Sequence, residues 1–393
     1  MLTREAPALP PVVRQTGKTP RLEFIDLLRG WAVLIMIETH TVNALLTQAY
    51  RNTWWFDWLD FFNGLVAPSF LFCAGCGLWI AINRKWDDYI HFRQPLRKYV
   101  GRMLWILGVA YALHLPTFSF KRIYQAFSPE YEEIFFQIDI LHTIVVTSLF
   151  AVLVIIVTRS KRILLWTSGV FAAALVLCAP LVWALARGGA FAVIIRNMLT
   201  ESPRSYFPFV PWSAFVFIGI IATKLFMDAE NKALFFRRLF FAGLGMMATG
   251  WIFRLYYNPY PSELWRSTPI YFVIRLGMVV MAFSGMWMYG EWKKQRAASV
   301  KSGVLLLFGR ESLLVYAAHL IIVYGSVANS GIASQYAMTF TPAECAGVWI
   351  LLTLAMWLLA YGWKRLKQNH LTASRMIQYS MAALFVLFLI VND

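Results

Sequence analysis

The sequence predicts an all-α fold, a polytopic integral membrane helical bundle of about eleven transmembrane helices. Three observations predict it. Of the 393 residues 59% are hydrophobic and only 14% charged, whereas a soluble globular chain carries about 25% charged residues. Apolar runs recur with short gaps from Phe24 to Val391, and a run of about 20 residues suffices to cross the roughly 30 Å hydrocarbon core. Basic residues gather in every second gap, as topology determinants do.

The first 23 residues are polar, contain Arg4, Arg14, Lys18 and Arg21, and hold no apolar stretch with a small-residue cleavage site. They read as a flexible cytoplasmic tail rather than a signal peptide. Residues 24–393 then form a single membrane domain, because no composition shift separates one fold from another. The runs fall at 24–46, 59–82, 99–116, 134–157, 163–186, 206–227, 234–256, 268–290, 303–326, 343–363 and 374–391. The third and last are short, which leaves ten or twelve spans open until charge is considered. Trp54, Trp55 and Trp58 beside the second run suit an aromatic belt at the outer interface.

Charge gives the orientation. With the N-terminus inside and eleven spans, the cytoplasmic segments hold twenty-five Lys and Arg and the exported ones eight, among them Arg51, Arg187, Arg196 and Arg266. Short cytoplasmic loops accumulate such residues, and the C-terminus then ends outside. This placement also explains the formal net charge of +16 without nucleic acid, for which no signature appears. Cys73 and Cys76 have C-x-x-C spacing, but they lie in an apolar run among small residues that favour close helix contact, so packing is the expected role.

Ionisable groups inside the bilayer cost several kcal/mol unless paired or hydrated, which makes them candidate site residues. Counting about 1.5 Å per residue along each run places His40, His114, His142 and His319 in the outer half, with Glu38 and Asp139 at similar depth and Arg275 about two turns in. Together they suggest a polar chamber open to the outside. Asp139 and His142, three residues apart, make the best local pair. On the inner side stand Asp26 and Arg29, also three apart, and Arg310 with Glu311. Asp26 and Arg29 read either as a structural clamp or, with Arg310, as part of a site for an anionic ligand.

At these residues the sequence resembles a known family. The stretch from Arg21 through Asp26, Arg29 and Gly30 to Met36 and His40 is similar to the first helix of heparan-α-glucosaminide N-acetyltransferase-like proteins. Arg29 followed after ten residues by His40 also fits the R-x10-H motif of the acyltransferase-3 family. Ala67 to Gly75, Phe207 to Trp212, and Gly309 to Tyr316 with His319 resemble three further motifs of the first family. One departure is visible: His40 stands where that family has Asn, and residues 41–90 contain no His.

The resemblance implies a membrane-embedded acyltransferase that moves an acyl, in the first instance acetyl, group from cytoplasmic acyl-CoA to a hydroxyl or amine of an extracytoplasmic glycan. It implies acetyl-CoA as donor substrate, a carbohydrate acceptor and a bacterial inner-membrane location; no metal is expected, since no H-E-x-x-H pattern is present. His40, Asp139, His142 and His319 become the catalytic candidates. His40 is the first choice of base, since imidazole titrates near neutral pH. Arg29 and Arg310 become the donor-binding candidates, since guanidinium matches phosphate geometry. The alternative is a proton-coupled secondary transporter using the same residues as a relay, but no inverted repeat is evident. The sequence leaves a homodimer open.

Overall fold

The structure is a computed structural model that describes residues 22–115, 117, 119, 121, 129–189, 191–202, 205–256, 261–296 and 303–391. The tail expected over the first 23 residues lies outside them except for its last two, as do Arg122, Arg204 and Lys301 of the charge tally. Among the described residues the secondary structure is helical, with no strand.

The helices are α1 (Glu23–Leu45), α2 (Trp54–Asn63), α3 (Val66–Arg84), α4 (Trp86–Ile90), α5 (Gln94–Leu113), α6 (Pro129–Phe135), α7 (Ile140–Thr158), α8 (Lys161–Arg187) and α9 (Val193–Leu199). They continue with α10 (Phe209–Asp228), α11 (Lys232–Tyr256), α12 (Pro269–Gln295), α13 (Val304–Arg310), α14 (Ser312–Tyr324), α15 (Ala333–Tyr336), α16 (Pro342–Asn369) and α17 (Leu371–Val391). Helices cross lipid because they satisfy every backbone group internally. Local signals place their ends. Asp139 caps α7, Ser160 caps α8, Thr268 caps α12 just before Pro269, and Thr341 forms a capping box with Glu344 ahead of Pro342 in α16. Each cap satisfies amide donors that the first turn leaves unpaired.

Helix occurs in all eleven apolar runs, but not all as expected. Among the described residues eight helices are long and apolar enough to cross a membrane, or nine if the bent pair α13 and α14 is one span. In α1, Asp26, Arg29, Glu38 and His40 dilute the apolar content, and in α5 Arg97, Lys98 and Arg102 do so. The polarity of α1 is sheltered by protein rather than by lipid, since α1 packs against α3, α12, α13, α14 and α16. The fourth run does not begin at 134: Phe136 to Asp139 break the helix, and α7 starts only at Ile140. The ninth run is bent by 91° at Glu311. Broken backbone is tolerated at membrane depth only where protein buries it, and here Glu311 is 8% exposed and accepts from Lys367 Nζ at 2.5 and 2.6 Å.

Two close crossings position the site. A Cβ on Gly30 would stand 1.7 Å from the Leu305 carbonyl oxygen, and one on Gly309 would stand 1.8 Å from that of Asp26. Small residues let helix backbones approach in this way, and the contact sets Arg310 beside the first turn of α1. At the periphery, α11 and α17 leave most side chains exposed, including Leu255, Tyr379 and Val391, as lipid-facing helices do. Cys73 and Cys76 are buried, their thiols 3.9 Å from the Ile25 carbonyl and 3.6 Å from that of Gly219, which is the packing role expected.

Candidate active site

Asp139 is the hub of a buried polar cluster. As the N-cap of α7 it accepts the His142 backbone amide at 3.0 Å. One carboxylate oxygen also faces His142 Nδ1 at 2.7 Å, and the other faces His114 Nε2 at 3.2 Å and accepts the Tyr316 hydroxyl at 3.3 Å. Nδ1 also lies 3.3 Å from the Asp139 backbone amide; in the tautomer that donates Nδ1–H to the carboxylate, His142 keeps Nε2 as its basic nitrogen, and that atom has no hydrogen-bond partner among the described residues. The edge of the Tyr111 ring closes on the His142 imidazole at 4.7 Å between centroids.

A second pair lies next to the first. The His40 and His319 rings are 5.2 Å apart, and His40 Nδ1 is 3.3 Å from the Tyr324 hydroxyl. His319 is fully buried and its Nδ1 donates to the Val315 carbonyl at 2.7 Å. This leaves Nε2 unprotonated and, among the described residues, unpartnered. Tyr316 links the two pairs: its ring is 6.0 Å from that of His319 while its hydroxyl reaches Asp139. The four histidines predicted to share one level thus share one network. Glu38 and Arg275 do not join it. Glu38 bonds Asn63, and Arg275 donates to the Phe61 carbonyl while stacking on the Phe61 and Tyr271 rings.

The arginines end a cavity of about 360 Å³ lined by Arg29, Arg84, Arg102 and Arg310 at one mouth and by Phe70, Ile140 and Tyr316 at the other end. Its wall follows α3 from Phe70 to Arg84, which amounts to ~21 Å of helix rise, most of the way across a hydrocarbon core. Asp26, 2% exposed, holds the mouth together: it is paired with Arg29 and lies 3.7 Å from Arg310 Nε, while Arg310 Nη2 donates to Glu23 at 3.0 Å. Clamp and anion site are therefore compatible readings of Asp26 and Arg29. His40 is not on the cavity wall; Tyr316 is, and its hydroxyl also reaches the Asp139 carboxylate.

Comparison with protein families decides the class. The family model described as heparan-alpha-glucosaminide N-acetyltransferase, catalytic, matches residues 21–249. The chain belongs to this family. The match covers Arg29, His40, His114, Asp139 and His142, and ends before Arg310, Tyr316 and His319. A comparison with curated proteins finds no match. As the family's name and the apolar helices together indicate, this is a membrane enzyme of the acetyltransferase type.

Three participants in the geometry, Arg84, Arg102 and Tyr316, were not singled out from the sequence as site residues, and a fourth, His114, was not among the catalytic candidates. Arg84 and Arg102 read as loop charges setting topology, and Tyr316, being neutral, carries no burial penalty to flag it. His114 was legible only as one of four histidines at the same depth. Among the described residues no group of three His, Cys, Asp or Glu side chains is arranged to hold a metal ion.

Proposed function

We propose that the protein transfers an acyl group, acetyl in the first instance, from acyl-CoA on the cytoplasmic side to a hydroxyl or amine of a glycan on the exported side. The observation that carries this reading is Tyr316, which gives the arginine-lined cavity and the histidine cluster a common wall. Coenzyme A bears its acyl group at the end of a long thin arm and its phosphates at the base. A cavity with four guanidinium groups at the mouth and apolar walls suits both parts.

In this reading Arg29, Arg84, Arg102 and Arg310 hold the donor phosphates and the thioester reaches the level of Tyr316. The acceptor hydroxyl or amine gives its proton to an imidazole as its oxygen or nitrogen bonds to the thioester carbon. The carbon–sulfur bond then breaks, and the thiolate leaves with the electron pair. A buried carboxylate that fixes the tautomer of the base and stabilises the imidazolium is the arrangement this step needs. Asp139 and His142 have that arrangement, which favours His142 as base. His40, the choice from the R-x10-H motif, is then assigned with His319 to the acceptor side of the network.

The eleven-span topology with the N-terminus inside is part of this proposal, since it puts the arginine mouth in the cytoplasm. The test is purified protein in liposomes with radiolabelled acetyl-CoA and a cell-surface glycan extract, wild type against His142→Ala and His40→Ala. Label in glycan, lost in a variant, supports transfer. Label that enters the lumen without covalent change supports the proton-coupled transporter instead.

A further inference from the structure

Arg254, in the last turn of α11, rests its guanidinium on two indoles. It lies 4.8 Å over the Trp251 ring and 4.8 Å over that of Trp265, which sits in the 3-10 turn Ser262–Ser267. The side of the molecule follows from the neighbours of Trp251. Its ring is 5.3 Å from that of Phe61, just ahead of α3, whereas Arg84 closes α3 after a rise of ~27 Å. Arg254 therefore stands at the end of the bundle opposite the arginine mouth.

Lipid reaches this end. The helix α11 is long and apolar enough to cross a membrane, yet only 11% of its apolar window is buried inside the protein. Ile252 and Leu255, on either side of Arg254, are exposed. An arginine in the last turn of such a helix stands at headgroup level. Cation–π contacts hold a guanidinium in place without consuming its N–H donors, and Arg254 has no carboxylate or other hydrogen-bond acceptor among the described residues.

The neighbouring helix supplies the opposite charge. The rings of Trp58 and Phe61 in α2 lie 6.4 and 5.3 Å from that of Trp251, and next to them in sequence Asp57 and Asp60 are exposed. Asp57, Asp60 and Phe61 share one face of α2 by their spacing, so the carboxylates flank the ring that meets Trp251. Asp57 forms no ion pair among the described residues, and Asp60 lies in the field of Arg266, whose own partner is Glu201. A purely anionic headgroup would meet Arg254 and be repelled by α2. A headgroup carrying both charges suits the two sides: its phosphate the guanidinium, its ammonium the carboxylates and the exposed Trp58 indole.

We propose that Arg254, the Trp58 and Trp251 wall and Asp57 form a site for a zwitterionic phospholipid headgroup, with the phosphate on Arg254 and the ammonium toward Asp57 and Asp60. The acyl chains lie along the exposed side of α11. The site is remote from the donor cavity and does not depend on the transfer reaction.

The test is native mass spectrometry of the full chain released from detergent. It is titrated with dioleoyl-phosphatidylethanolamine, with dioleoyl-phosphatidylglycerol, and with tail-free phosphoethanolamine. Wild type is expected to hold the ethanolamine lipid about threefold more tightly than the glycerol lipid, and phosphoethanolamine far more weakly than either. Arg254→Gln should weaken the tightest lipid about tenfold, and Arg254→Lys should recover part of that. Asp57→Asn combined with Asp60→Asn should turn the preference toward the glycerol lipid. Equal retention of the two lipids, or a preference untouched by Arg254→Gln, indicates annular lipid only and overturns the proposal. So does a preference that survives the double substitution on α2. Phosphoethanolamine bound as tightly as the lipid overturns it in favour of a soluble ligand, and a dimer that displaces the lipid does so in favour of a second copy of the chain. Should Arg254→Gln lower the melting temperature, the α2 variant still decides, because both of its carboxylates are exposed.

Discussion

The hydroxyl of Tyr316 donates to the Asp139 carboxylate at 3.3 Å across 177 residues of sequence, and its ring lines the cavity that the arginines open. A hydrogen bond to a charged group contributes about 1.5–3 kcal/mol. Tyr316→Phe keeps the ring and removes only the donor. Its kcat should fall at least about tenfold while the melting temperature in detergent falls by only a few degrees, as initial rates and a thermal scan would report. A kcat equal to wild type would remove Tyr316 from the reaction path.

Asp139→Asn separates two roles that one carboxylate fills. Asn caps helices as well as Asp does, so α7 should keep its start and the protein its fold. The charge that orients His142 and His114 is lost, and kcat should drop by about two orders of magnitude or more. His142→Gln should match that loss in kcat. His40→Gln should act mainly on the acceptor KM, and the reverse pattern would hand the base role to His40.

How far the site was legible in the sequence depends on what flags a residue. His40, His114, His142 and His319 stood out because charge-capable groups are rare in apolar runs, and rise along each run put them at one depth. The capping position of Asp139 was hidden, because Ile134, Phe135 and Phe136 extend the apolar run past the true start of α7. The bend at Glu311 was hidden for a related reason. Glu311 is held at the bend by a tertiary pair with Lys367, fifty-six residues away, which the stretch from Gly309 to Ser312 does not announce. Arg84 and Arg102 carry two roles at once, and the topological one masks the other.

At the arginine mouth, charge and stability are coupled through Asp26. Arg29→Gln leaves a carboxylate that is 2% exposed without its nearest cation. Breaking such a pair from one side costs about 3 kcal/mol or more. Chemical denaturation in mixed micelles should show that loss. Arg29→Gln combined with Asp26→Asn should recover most of the stability but not the affinity for acetyl-CoA, because in the proposed reading the guanidinium itself holds the phosphates. Recovery of both would make the pair a clamp and nothing more.

Gly309 tests whether the α1 and α13 contact serves the donor end or only the fold. Its Cβ in Gly309→Ala would meet the Asp26 carbonyl at 1.8 Å, and backbone rather than a flexible side chain would have to yield. Overpacking of this kind costs about 1–3 kcal/mol. The two helices should part at the place where Arg310 approaches Asp26 and Glu23, so the acetyl-CoA KM should rise together with the fall in melting temperature. Gly290→Ala, at a position where nothing lies within 4 Å, is the matched control and should change neither. A Gly309→Ala protein with lowered stability and an unaltered acetyl-CoA KM would show that Arg310 does not need this crossing to meet the donor.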